Sequence, residues 1–212
     1  MSIPRLSYAL AGYFERQLNL DEDRTDILRY GFEVIIGESV KIITLFILAY
    51  LLKLTPNVLV SFLTVGIYRL FSGGYHSKTY EQCFIHSLIL FLAMGKMTQI
   101  LFTYFKIPVT LLFTIVIVTF IWTLWIAIKW APAETVNKPL SSVEKNRQKK
   151  LSLGWVLLWF IVISYLLLGF PFEKTGFIIL GTLIAHMFQS FSVTPAGFKV
   201  MRFVDTLPDK IK

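Results

Sequence analysis

The densest run of reactive side chains in the sequence is Arg69-Leu70-Phe71-Ser72-Gly73-Gly74-Tyr75-His76-Ser77-Lys78-Thr79-Tyr80-Glu81-Gln82-Cys83. His76 supplies an imidazole, which ordinarily titrates near pH 6.5 and can take and return a proton at neutral pH, at about the right driving force for general base work. Cys83 is the single cysteine of the chain, and a thiol becomes a nucleophile once it ionises. One cysteine excludes an internal disulfide framework and any multi-cysteine metal site. Gly73-Gly74 opens backbone conformations closed to other residues and allows another chain a close approach, which makes a hinge or a slot for an extended peptide.

Spacing constrains how His76 and Cys83 can cooperate. On one continuous helix, positions seven apart share a face but stand about 10.5 Å apart along the axis, too far for proton transfer. A turn through Gly73 to Lys78, folding His76 back over the start of the helix that carries Cys83, would join them as a Cys-His dyad. Cys83 falls in the first turn of that helix, whose positive end favours a thiolate. A metal reading competes, with His76, Cys83 and His86 as three ligands and the last two at i and i+3; no second cysteine or fourth ligand stands nearby, and no metal or other cofactor is expected. The plain alternative is a cysteine that fills space and a solvated histidine. Arg69 can bind a substrate carboxylate or backbone carbonyls, or reach lipid headgroups. Lys96, within an apolar block, is costly unless paired or wet. His186 and Gln189 are read as helix-packing residues. Glu38 and Glu81 could each orient His76, with no geometric ground for choosing.

The elements that position these residues are apolar. Of 212 residues, 55% are hydrophobic and 16% charged, and the mean hydropathy is +0.65, against about 45–50% and about 25% in soluble domains. Lipid is the expected solvent. The net charge of +8 does not point to nucleic acid, because the basic residues sit between apolar blocks, where they orient membrane proteins. Residues 1–38 hold seven of the thirteen acids. In them Leu6, Leu10, Tyr13, Phe14 and Leu18 recur at helical spacing, which predicts an amphipathic interfacial helix. A second helix is expected to open near Asp21 to Asp23 and run into the first span. Six apolar blocks follow, at about 39–55, 57–71, 82–104, 107–130, 152–170 and 174–191, where a span needs roughly 20 residues. The second, short and ending in Arg69, is expected to be tilted, broken or partly re-entrant. The fold class is therefore all-α, a single polytopic membrane domain over 1–212. It comprises an N-terminal region 1–38, a transmembrane region 39–191 holding the 69–83 loop and a basic loop 131–151, and a tail 192–212.

The pattern Arg69, Gly73-Gly74, His76 and Cys83 resembles the accessory gene regulator B (AgrB) family of membrane cysteine endopeptidases. Ala131-Pro132-Ala133-Glu134-Thr135, followed by Lys138-Pro139 and a basic run, resembles the stretch after that family's fourth span, and the likeness extends over essentially the whole chain. The resemblance implies Cys83 as nucleophile and His76 as general base. It implies cleavage of an AgrD-like propeptide near its C-terminal end, an acyl-enzyme thioester, and transfer to a Cys or Ser of the substrate to close a thiolactone or lactone. It also implies that Lys145, Arg147, Lys149 and Lys150 draw in its acidic tail and that the protein works as a homodimer, while substrate contact by Arg69, Gly73 and Gly74 is read from the residues themselves. On residues alone, that basic run is equally a topology determinant and an anionic-lipid contact.

Two other classes compete. A peptide or ion transporter calls for polar residues along several spans, and the apolar blocks hold few. A non-catalytic assembly subunit leaves Gly-Gly-x-His and Cys83 incidental. With both termini in the cytoplasm of a bacterial cell, sixteen of the twenty-one Lys and Arg residues face inside and three face outside, the orientation that the positive-inside rule prefers. A Ser142→Cys variant in a Cys83→Ala background should therefore resist an impermeant maleimide on intact cells and react after permeabilisation. Labelling of intact cells reverses the orientation.

Overall fold

The computed structural model describes residues 2–75, 77, 79–134 and 140–211, with side chains as far as Thr206. The described residues form eight helices: α1 (Ile3–Leu18), α2 (Glu22–Leu51), α3 (Thr55–Ser72), α4 (Tyr80–Tyr104), α5 (Val109–Trp130), α6 (Ser142–Gly169), α7 (Phe172–Ser192) and α8 (Pro195–Ile211). Strand-like pairing among them is confined to one parallel bridge, Gly73 with Ala133. Helices α2, α4, α5, α6 and α7 are long and apolar enough to cross a membrane. The chain is an all-α polytopic membrane protein.

Contacts divide it into two units, residues 1–50 and 51–212. In the first, Pro4 sits in the opening turn of α1, where its missing N–H costs nothing, and Asn19 ends the helix in a left-handed conformation at φ 49°. The chain then folds back, so that the Phe14 ring stacks on Phe32 at 5.7 Å and the Arg29 guanidinium lies 4.9 Å over Tyr8. As expected, the helix that opens beside Asp21 runs on into the first span. Glu22 and Asp23 complement its positive end. Lys41, within that span, is held by Glu38 at 2.6 Å.

In the second unit α3 packs against α4, α6 and α7. It is unbroken over 18 residues, about 27 Å of axis, so of the tilted, broken and re-entrant alternatives the broken helix is not found. Its lower apolarity has another cause. Asn57, Ser61, Thr64, Tyr68 and Ser72 form a polar stripe at helical spacing, and all five are buried. The stripe faces protein rather than lipid, and the Ser61 and Thr64 hydroxyls return to the Asn57 and Val60 carbonyls at 3.1 and 2.8 Å. Beyond it, Leu112, Val116, Trp159, Ile163, Leu167 and Ile179 join α5, α6 and α7, and Phe120 stacks on Phe160 at 4.2 Å.

Two boundaries differ from the sequence expectation. The run Lys145, Arg147, Lys149 and Lys150, expected in the loop 131–151, lies on the first turns of α6. Ser141 caps that helix, accepting from Glu144 N at 3.3 Å while Glu144 Oε2 accepts from Ser141 N at 2.9 Å. A capping box satisfies two orphan donors at once and starts a helix even in a basic segment. The stretch 192–212, expected as a tail, forms α8 against α7. There Thr194 Oγ1 accepts from Gly197 N at 3.0 Å, with Pro195 opening the helix.

Helices in lipid gain little from hydrophobic burial against one another, so close packing must hold them. Gly95 of α4 provides it: a Cβ there would stand 2.5 Å from Cγ2 of Val58 on α3. Gly95→Leu should cost about 1–3 kcal/mol by overpacking, read as a lower thermal unfolding midpoint in detergent, with Gly95→Ala in between. A Gly95→Leu protein as stable as the wild type would show that this contact does not hold α3 and α4 together.

Candidate functional site

The site lies where α3 ends and α4 begins. Gly73 caps α3 at φ 69° and ψ −149°, a region essentially reserved for glycine. A Cβ there would run into the carbonyl oxygen of Ala133. The reason is the parallel bridge, in which Ala133 N donates to the Ser72 carbonyl at 2.8 Å. The Gly-Gly motif and the Ala131-Pro132-Ala133 motif, some sixty residues apart in sequence, are thus one piece of structure.

Gln189 of α7 fastens this piece from beneath. Fully buried, it donates from Nε2 to Ser72 Oγ at 2.9 Å and to the Gly73 carbonyl at 2.8 Å. Ser192 Oγ donates to its Oε1 at 3.3 Å. A carbonyl freed where a helix ends needs such a donor when water is excluded. Gln189 was expected to serve packing, and its bonds hold the loop as well. His186, one turn earlier, does pack: its ring lies 4.7 Å from that of Tyr68 and 4.4 Å from that of Trp159.

Arg69, in the last turn of α3, donates through Nη2 to the carbonyl of Tyr75. Gly74, at φ 138°, lies against the guanidinium, with the position of a Cβ 3.1 Å from Nη1. The Tyr75 hydroxyl crosses to α8 and donates to Asp205 Oδ2 at 2.6 Å, and its ring meets Phe198 edge-on at 5.7 Å. Burial first, then the hydrogen bond to Asp205 and its charge, push the Tyr75 hydroxyl up to about 12. It therefore stays a protonated donor at physiological pH.

On the other side, Thr79 caps α4 by accepting from Gln82 N at 3.2 Å. Cys83 follows in the first turn, half-buried, its N–H on the Thr79 carbonyl at 3.1 Å and its carbonyl accepting from Ser87 Oγ at 2.7 Å. The position at the positive helix end agrees with the sequence reading. One turn on, His86 Nδ1 stands 3.4 Å from Ser77 Oγ and 3.3 Å from Asp205 Oδ1, the latter an ion-pair separation rather than an aligned hydrogen bond. Gln82 Nε2 donates to the Asp205 carbonyl at 3.1 Å. His76 and Lys78, with Thr135, Lys138 and Pro139, lie outside the described residues.

Of the basic run, Lys145 pairs with Glu134 at 3.1 Å, which ties the second motif to α6. Arg147 and Lys150 are exposed and Lys149 half-buried. Lys96 finds the partner it needs in Gln99 at 2.9 Å. Beside the bridge, a groove of about 420 Å³ is lined by Trp130, Pro132, Ala133, Phe198, Lys199 and Arg202, with Glu134 at its edge. Asp205 and Tyr75 had no place among the sequence candidates. The available signal was an acid at i+7 from Phe198 and i+4 from Met201, on the apolar register of an otherwise amphipathic stretch.

Fold and site together define a polytopic helical membrane protein whose only cysteine opens a helix beside a loop pinned by hydrogen bonds from three others. The chain belongs to the accessory gene regulator B family, whose model matches residues 7–193. It is 27% identical over 215 residues to an AgrB-like protein of Clostridium perfringens strain SM101, covering 99% of each chain. To accessory gene regulator protein B of Staphylococcus aureus strain JH9 it is 27% identical over 188 residues, covering 89% of this chain and 92% of the relative. No solved structure matches the chain.

Gln189→Leu should leave the Gly73 carbonyl without its donor, at a cost of about 1–3 kcal/mol. The expected result is a lower unfolding midpoint in detergent and faster proteolysis between residues 73 and 80. Unchanged stability and unchanged cleavage would show that Gln189 does not hold the loop.

Proposed function

We propose that the chain is a membrane cysteine endopeptidase that cleaves the C-terminal part of an AgrD-like autoinducing-peptide precursor and supports its macrocyclisation for quorum sensing. The observation that carries this reading is the placement of Cys83. The only thiol of the chain sits in the first turn of α4, at the positive end of the helix that follows the Gly-Gly segment, itself pinned by Arg69, Gln189 and Ala133.

In this mechanism the Cys83 thiol gives its proton to His76, and the sulfur attacks the scissile carbonyl. Collapse of the tetrahedral adduct breaks the C–N bond, with His76 returning the proton to the leaving amine. The resulting thioester keeps the acyl group activated. A Cys or Ser side chain of the same peptide, held at high effective concentration, attacks it, closes the thiolactone or lactone and releases Cys83. Shelter from bulk water matters because hydrolysis is the competing outcome.

Other features fit the same reading. The groove beside Ala133 pairs Trp130 and Phe198 with Lys199 and Arg202, which suits an amphipathic, acidic peptide. The exposed cations Arg147 and Lys150 at the start of α6 add attraction at longer range. The cytoplasmic orientation rests on the charge count, a second copy is the partner that the family resemblance implies, and membrane lipids are the partners that the basic residues imply.

The test uses the full chain in lipid vesicles and the short peptide encoded beside its gene, with products weighed by mass spectrometry. Wild type should release the C-terminal fragment. Cys83→Ala should lose cleavage altogether while inserting normally, and His76→Gln, which keeps size but cannot accept a proton in the same way, should lose it with peptide binding retained. Rising salt should raise KM more than it lowers kcat, since exposed charges bind ground and transition states alike. Normal processing by Cys83→Ala removes the enzyme reading, and near wild-type cleavage by His76→Gln moves the base elsewhere, to Glu81, His86 or Lys78.

A further inference from the structure

We propose that Asp205 is a positioning residue of the Cys83 site, anchoring from α8 both the segment that precedes His76 and the helical turn that carries Cys83. The inference rests on the cysteine-endopeptidase reading, and it adds to that reading a third group that neither motif contains.

Three contacts converge on this one residue from two sides of the site. Its Oδ2 accepts from the Tyr75 hydroxyl at 2.6 Å. Its Oδ1 stands 3.3 Å from Nδ1 of His86, one turn beyond Cys83 on α4. Its backbone carbonyl accepts from Nε2 of Gln82, the residue before Cys83, at 3.1 Å. His86 in turn faces Ser77 Oγ at 3.4 Å. Both chain neighbours of His76 are therefore tied to the Cys83 turn through Asp205 or its partner, and Arg69 holds the Tyr75 carbonyl from a third direction. Among the described residues, Arg69 on α3 and His86 on α4 meet the network directly, and the positive charge of Arg202 on α8 acts on Tyr75.

Burial explains why Asp205 acts through these partners and not on substrate. Its side chain is 0% exposed, so no peptide reaches it. A carboxylate withdrawn from water is retained only against strong hydrogen bonds, and the short bond from a hydroxyl to an ionised acceptor is of the strong kind. A nucleophile and its base must be held to a fraction of an ångström, which is done by neighbours that lock them. Asp205 supplies that lock from a helix more than 120 residues further along the chain.

Because Cys83 is the only thiol, its alkylation by iodoacetamide reports on the site without any substrate. The rate would be measured against pH on the full chain in lipid vesicles for wild type, Tyr75→Phe, Asp205→Asn and Asp205→Glu, with helicity and insertion checked for each. Tyr75→Phe removes one oxygen and guards against a variant that does not fold. Loosening the anchor should move the inflection of the rate–pH curve upward by about half a pH unit or more, because a base no longer held against the thiol takes its proton less readily. Asp205→Glu should recover part of the shift, and the Tyr75→Phe, Asp205→Asn pair together should shift by less than the sum of the two single changes, since both act on the Tyr75–Asp205 bond. An inflection that stays in place or moves down in both single variants overturns the proposal, whatever happens to the plateau rate. Cleavage of the peptide encoded beside the gene, followed in parallel, keeps the two claims apart. Wild-type cleavage with an unmoved inflection removes Asp205 alone, whereas a shifted inflection in a protein that cleaves nothing removes the peptidase reading and leaves Asp205 as the anchor of the thiol.

Discussion

The break between α3 and α4 frees backbone groups that lose their helical partners, and the site is built from the bonds that pair them. Where α3 stops, the Ser72 carbonyl takes Ala133 N, the Gly73 carbonyl takes Gln189 Nε2, and the Tyr75 carbonyl takes Arg69. Each bond draws in a different element, the 131–133 segment, α7 and the last turn of α3 itself. An unsatisfied amide away from water costs several kilocalories, more than one neutral hydrogen bond contributes in water. The loop is thereby fixed by desolvation as much as by attraction, and Cys83 inherits a rigid base.

Much of the fold was legible because lipid imposes a simple rule on composition. Long apolar blocks must be helices, since only a helix satisfies its own backbone, and the blocks at 82–104, 107–130 and 174–191 match α4, α5 and α7 within a few residues. What composition hides is the direction in which a helix faces. The block 57–71 looked doubtful because it is short, ends in Arg69 and is followed by Ser72-Gly73-Gly74, whereas Asn57, Ser61, Thr64, Tyr68 and Ser72 fall on one buried face. The boundaries of α6 and α8 were missed for a related reason. Charge was read as loop or tail, while the capping residues Ser141 with Glu144, and Thr194 with Pro195, start helices regardless of the charge that follows.

The site divides along the same line. Cys83 at a helix start, and glycine at 73 and 74, are local facts: a cap at Thr79 and a positive φ can be read from a few neighbouring residues. The contact of Gly73 with Ala133, the reach of Gln189, and the convergence on Asp205 are non-local. No spacing rule joins residue 75 to residue 205, and a single acid in a stretch that also carries Lys199 and Arg202 reads as a solvated charge until α8 is seen to turn it inward.

The burial of Asp205 is uneconomical by stability alone. Thirteen acids serve the whole chain, seven of them within the first 38 residues, and a carboxylate taken fully out of water loses more solvation than one ion pair restores. An apolar residue of similar size would avoid that loss. It would also leave Tyr75, Gln82 and His86 with no common partner, free to settle in several arrangements of nearly equal energy. A buried carboxylate bonded to a hydroxyl penalises every arrangement but one, so what it contributes is uniqueness rather than stability. In a fold whose spans are held mainly by nonspecific close packing, the exact distance between a loop and a helix start has to be set by something directional, and at this end of the bundle the directional bonds run through Asp205.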